Sequence, residues 1–133
     1  MPSDIQDLDN GTVTSPKGFK TGAVYAGLKT PGPGKLDLGM LVSDTPAKTA
    51  ATFSQNSILS PSVTISRASL EGGRDKRAVV VNSGNANCAV GEQGYKDAQE
   101  VVSLAANHIG VDPSEVLVCS TGVIGVELPM GLI

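Results

Sequence analysis

The chain has no tryptophan, and aromatic residues make up only 3% of it. Without large rings, its interior has to be filled by Val, Ile, Leu and Ala, and its 16 glycines let backbones come close. Cations are few and scattered. Ten Lys and Arg against 13 Asp and Glu leave a net charge of -3, with no basic stripe for a phosphate backbone. Nucleic acid is therefore not an expected partner. Apolar runs such as Ala78 to Val81 are far shorter than the roughly 20 residues that cross a bilayer, so no membrane is expected either. The opening MPSDIQDLDN lacks the basic and apolar blocks of a secretory signal. GxGxxG is missing, and Gly32-Pro33-Gly34-Lys35 does not complete GxxxxGK[ST]. Cys88 and Cys119 stand too far apart for a CxxC pair or a zinc knuckle. They read as two reduced, buried thiols of a cytoplasmic-type protein.

What is present points to one layered domain. Residues 1–17 are polar and end at Ser15-Pro16, which reads as a frayed tail, and a domain follows over 18–133. Ala23 to Leu28 and Leu36 to Val42 read as the strands of a hairpin joined by Thr30-Pro31-Gly32-Pro33-Gly34. Thr49 to Phe53 and Ser62 to Ser66 read as two further strands. Arg77 to Asn82 is a strand whose three consecutive valines imply burial on both faces. Tyr95 to Ile109 repeats apolar residues at helical spacing and stops at Gly110. Asp112-Pro113-Ser114-Glu115 is a capped single turn, Val116 to Cys119 a last strand, and Glu127-Leu128-Pro129 the opening of a helix. This makes six strands against one helix of about 22 Å. One such helix cannot cover a sheet of that size, so a second chain, or more of the same one, is expected to cover the rest.

The lone His108 falls in the last turn of the helix and reads as a surface or helix-end residue. The loop Ser83 to Gly94 could present amides to an anion, but reads more simply as a turn braced by its own amide side chains. In VLVCSTGVIGVELPM, Val116 to Met130, a strand runs into Ser120-Thr121-Gly122. A hydroxyl next to a backbone N–H at a strand end is a donor pair suited to a developing oxyanion, and it needs no base beside it. A plain Thr-Gly turn accounts for the same spacing.

The runs SPKGFKTGAVYAGLK, KLDLGMLVSDTPAKTAATFSQN, VVVNSGNANCAVGEQG and EVLVCSTGVIGVELPM, in that order, resemble the ornithine acetyltransferase family, the glutamate N-acetyltransferases of arginine biosynthesis. The likeness extends from about Pro16 to Met130 and rests most on NSGNAN and STGVIG…LPM. It implies an α/β (α+β) layered sandwich of β-sheets flanked by helices, like that of the N-terminal-nucleophile enzymes. Only the N-terminal part of the self-cleaved α chain would be present here. The resemblance further implies that Thr121 and Gly122 form the oxyanion hole. Ser120 and Ile124 would shape that turn, and Asn82, Asn85 and Asn87 would brace the adjoining loop.

The implied reaction moves acetyl from N-acetylornithine to glutamate through an acyl-enzyme on the N-terminal Thr of a partner β chain, in an α2β2 heterotetramer. No bound cofactor is implied. Acetyl-CoA enters only as an alternative acetyl donor used by some members. The implied compartment is the cytoplasm, or an organelle in a eukaryote. The nucleophile, a substrate-binding Lys and a Thr-rich segment fall outside these 133 residues, so the chain alone is expected to be inactive. Two rival readings are a non-catalytic α/β interaction module and a related self-processing hydrolase or aminopeptidase.

Overall fold

The computed structural model describes residues 7–29, 32 and 34–133. Phe19–Val24 (β1) and Leu38–Ala47 (β2) pair antiparallel, with Val24 opposite Leu38 and Phe19 opposite Ser43. Of the Pro/Gly turn expected between them, Thr30, Pro31 and Pro33 lie outside the described residues. Lys76–Asn85 (β3) pairs antiparallel with β2, and Val116–Val123 (β4) pairs parallel with β3. The result is one mixed sheet in the order β1-β2-β3-β4.

The helix that connects the parallel pair, Gly91–Ile109 (α2), starts earlier than its apolar pattern suggests and ends where expected. Gly110 takes the left-handed conformation at φ 71° and closes the last turn. One face of α2 presents Val101, Val102, Ala105 and Ala106 to Ala78, Val80, Val116 and Val118 of the sheet, and these residues form the core. The turn at Pro113–Glu115 carries the expected cap: Asp112 accepts from the Ser114 N–H, and Glu115 reaches back to the Asp112 N–H.

Two expected strands are not strands. Ser62 to Ser66 belongs to a helix, Pro61–Glu71 (α1), started by the Ser60 side chain and by Pro61 in the first turn. Its alternating pattern misleads because the residues it buries are Ser62 and Ser66, four apart on one helical face. The Ser66 hydroxyl donates to the Val118 carbonyl at 2.9 Å and accepts from the Val118 N–H at 3.0 Å. α1 thus seals the outer edge of β4, which would otherwise expose unpaired backbone. Thr49 to Phe53 has no sheet partner: both sides of β3 are already occupied, and the β2 pairing ends at Ala47 opposite Lys76.

The architecture is α+β, with helices against one face and one edge of a sheet. It is part of a layered fold rather than the whole of one. Burial of β3 on both faces does not hold within this chain. Val80 is covered by α2, whereas Val81 on the opposite face is 40% exposed. On that face Val79 and Leu117 line shallow cavities together with the irregular segment around 47–54 and with Ser62, Val63 and Ser66 of α1.

Candidate active site

The carboxyl ends of the two parallel strands meet in a close backbone crossing. Ser83 lies opposite Thr121, and Gly84 opposite Gly122. A Cβ on Gly122 (φ 136°) would sit 2.2 Å from the Gly84 carbonyl carbon and 2.4 Å from the Asn85 nitrogen. A Cβ on Gly84 (φ 115°) would sit 2.6 Å from the Lys29 Cα and 2.8 Å from the Leu28 carbonyl. Three backbone segments are therefore stacked with no room for a side chain at either glycine.

Asp37 holds the outermost of these segments. It is 3% exposed, and its carboxylate accepts from the N–H groups of Ala26 at 2.6 Å, Leu28 at 2.7 Å and Lys29 at 3.2 Å. Burial works to raise its pKa, but the N–H groups of Ala26, Lys29, Leu28 and Gly27 together outweigh it and hold the carboxyl below its ordinary range. The Asp37 carbonyl also accepts from the Ser83 N–H at 2.8 Å, which ties the loop to the strand bearing Gly84. Sequence reasoning passed over Asp37. Its signal was a lone carboxylate in the apolar run LDLGMLV, where it could be buried only if fully hydrogen-bonded.

The residues singled out by the resemblance come together around this crossing. Thr121 and Gly122 are exposed at the end of β4, open rather than sealed beneath side chains. Ser120 is half-buried and accepts a 2.9 Å hydrogen bond from the Ser62 hydroxyl of α1. Ile124 does not pack into the turn, being 65% exposed. The turn is held instead by backbone bonds on either side of it, from the Ala86 N–H to the Val123 carbonyl and from the Gly125 N–H to the Cys88 carbonyl.

The asparagines brace the loop beneath. Asn82 Nδ2 donates to the Asn85 carbonyl at 2.8 Å. Asn85 Nδ2 donates to the carbonyls of Val126 and Glu127, and its Oδ1 accepts from the Asn87 N–H. Asn87 Nδ2 reaches the Gly94 carbonyl in the first turns of α2 at 2.7 Å. All three side chains are buried, so at this end of the sheet amides add to the apolar core in pinning β3, α2 and the segment after β4 to one another.

Other candidates fall elsewhere. His108 lies exposed on α2 and lines a separate groove. The cysteines are free, as expected, but not buried: Cys88 is half-exposed and Cys119 exposed. Cys119 alternates with the core residue Val118 and so points to the face that α2 does not cover. Desolvation still raises its pKa. No group of three or more His, Cys, Asp or Glu among the described residues is placed to hold a metal. No helix among them is long and apolar enough to cross a membrane.

Residues 20–133 match the model of the ArgJ family. The chain belongs to the ArgJ family. Among curated ArgJ proteins, it is 48% identical over 130 residues to the arginine biosynthesis bifunctional protein ArgJ of Dehalococcoides mccartyi, a match covering 98% of this chain and 32% of that protein. It is 50% identical to ArgJ of Thermus thermophilus, with 89% of this chain and 30% of that protein covered. The chain thus spans about a third of the length of these relatives, and corresponds to their N-terminal segment. Of solved structures, ArgJ of Bacillus halodurans superposes with a TM-score of 0.88 at 34% identity, covering 94% of this chain and 64% of the other. An ornithine acetyltransferase of Mycobacterium tuberculosis, complexed with ornithine, superposes with a TM-score of 0.79 at 38% identity, covering 90% and 64%. ArgJ proteins are enzymes of arginine biosynthesis, and the chain carries part of their fold.

Proposed function

We propose that this chain supplies the oxyanion hole of a glutamate N-acetyltransferase. The Thr121 hydroxyl and the Gly122 N–H are its two donors. The supporting observation is the crossing itself: an exposed Thr-Gly pair at the carboxyl end of a parallel strand, backed by the Gly84 backbone. Ligands of open α/β sheets gather at such strand ends. The backing matters because an oxyanion donor works only if it is already aimed when charge develops.

In the proposed reaction, the N-terminal Thr of a partner β chain attacks the acetyl carbonyl of N-acetylornithine. The carbonyl oxygen becomes an oxyanion held by the donors at 121 and 122. Collapse of this intermediate expels ornithine and leaves acetyl on the nucleophile. The glutamate amine then attacks the acyl carbon and passes through the same hole. Each donor of this kind contributes roughly 10²–10³ in kcat. The nucleophile and its proton acceptor belong to other segments, in keeping with a site on this chain made only of a hydroxyl and backbone. An α2β2 assembly would bring the two together.

The test is Thr121→Ala in the complete α/β protein, assayed for acetyl transfer from N-acetylornithine to glutamate. The expected result is a fall in kcat of roughly 10²-fold or more with an unchanged unfolding midpoint. Unchanged turnover removes the assigned role. Peptide cleavage in place of acetyl transfer would favour a self-processing hydrolase.

A further inference from the structure

Asp37 commits every polar group it has to one corner of the molecule. Its N–H donates to the Val24 carbonyl at 3.0 Å, at the end of β1, and its carbonyl accepts from the Ser83 N–H of β3. Its Oδ1 accepts from the Ala26 N–H, and its Oδ2 from the N–H groups of Leu28 and Lys29. Among the described residues no cation pairs with this carboxylate, so backbone dipoles alone offset a buried charge. Hydrogen bonds to a charged acceptor are roughly twice as strong as neutral ones, and here they fix the path of residues 26–29.

The place of this loop in the stack gives it leverage. The Leu28 carbonyl and the Lys29 Cα lie against Gly84, and Gly84 lies against Gly122, with no room for a Cβ at either contact. No side chain separates the layers, so a shift of the loop is passed to Gly84 and from there to Gly122. On its other side Gly122 is exposed, so among the described residues nothing opposes such a shift. A misplacement of about 1 Å in a positioned group can cost roughly 10²-fold in rate.

We infer that Asp37 is a positioning residue for acetyl transfer: by clamping residues 26–29 behind Gly84, it keeps the Gly122 N–H aimed at the developing oxyanion. The inference rests on the role proposed above for Thr121 and Gly122. Asp37→Asn keeps the size and shape of the side chain, but its NH2 group cannot accept from a backbone N–H. Either the Ala26 N–H or the Leu28 and Lys29 pair is then released, and the backing of Gly122 loosens while the strand register persists. An oxyanion donor acts on charge that develops in the transition state, so the loss falls on kcat rather than on KM.

The test compares Asp37→Asn, Ser66→Ala and Thr121→Ala in the complete α/β protein, assayed for acetyl transfer from N-acetylornithine to glutamate. Competent sites are counted by the acetyl each variant retains from N-acetylornithine when glutamate is withheld. Asp37→Asn is expected to lower kcat per site by about tenfold or more, with KM changed less than about twofold. Ser66→Ala weakens the far edge of β4 without touching the stack, and its kcat per site is expected to stay within about twofold of the parent. That control separates lost aim from lost stability. A kcat for Asp37→Asn within about twofold of the parent, or no lower than that of Ser66→Ala, overturns the inference and leaves the oxyanion reading standing if Thr121→Ala is still impaired. Unchanged turnover in Thr121→Ala overturns both. Should Asp37→Asn not fold, Gly27→Ala decides the matter. Gly27 holds φ 88° with no close neighbour, so the substitution strains the loop between the Ala26 and Leu28 N–H groups without a clash. Its kcat is expected to fall at least about threefold at constant KM, and an unchanged kcat would overturn the inference.

Discussion

Gly122 on β4 and Gly84 on β3 touch through their backbones: a Cβ on the first would lie 2.2 Å from the carbonyl carbon of the second. The contact leaves no space for relaxation, because Gly84 is in turn pressed against Leu28 and Lys29. Both glycines also hold positive φ, which an L side chain adopts only with strain. Gly122→Ala and Gly84→Ala are each expected to cost more than about 3 kcal/mol. Denaturant midpoints of the intact protein would show it, and a loss below 1 kcal/mol would mean that the three segments are not stacked in this way.

Ser66 offers a cleaner measure of edge protection. Its hydroxyl satisfies both the N–H and the carbonyl of Val118, and it is 5% exposed, so Ser66→Ala leaves two buried backbone groups without a partner. A loss of about 2 kcal/mol is expected. Ser62→Ala should cost less, since the Ser120 hydroxyl that it bonds is only half-buried. Chemical denaturation of the two variants side by side checks the order.

Asp37 should make stability depend on acid. Its folded-state pKa lies below the ordinary 3.8 because backbone N–H groups favour the charged form. A carboxylate with a depressed folded pKa adds stability that is present above the unfolded pKa and lost as pH falls through the folded one. Asp37→Asn is therefore expected to be destabilised at neutral pH, and the gap to the parent protein should narrow below about pH 4. Unfolding midpoints measured across that range decide it, and a constant gap would contradict the assignment.

Asn85 distinguishes donors from acceptors. Its Nδ2 faces the carbonyls of Val126 and Glu127, so Asn85→Asp sets a carboxylate oxygen against two others. The cost at neutral pH is expected to be about 3 kcal/mol, larger than for Asn85→Ala. Burial beside those carbonyls raises the pKa of the introduced acid, so part of the loss should be recovered in mild acid. Stability curves at two pH values test both points.

Much of the fold was legible where side chains report their surroundings directly. The 3.6-residue recurrence over Tyr95 to Ile109, the glycine stop at Gly110 and the capping box at Asp112 are local signals, and all three appear in the structure. α1 was misread because its buried face is made of serines. Hydroxyls bury well only when a bare strand edge stands opposite, and the sequence cannot show that edge. The segment around Thr49 was misread for the converse reason: it has the composition of a strand, but no neighbour with free hydrogen bonds.

The sequence by itself determined the family and the succession of β3, α2, the capped turn and β4, and it singled out Thr121 and Gly122 as candidates. These follow from motifs and periodicities that lie within a few residues of one another. Only the tertiary structure decided that Gly122 rests on Gly84 and that Asp37 clamps the loop behind them. Each of those depends on which segments are brought together across tens of residues. That is set by strand pairing and by the need of every buried polar group for a partner, and no local pattern encodes it.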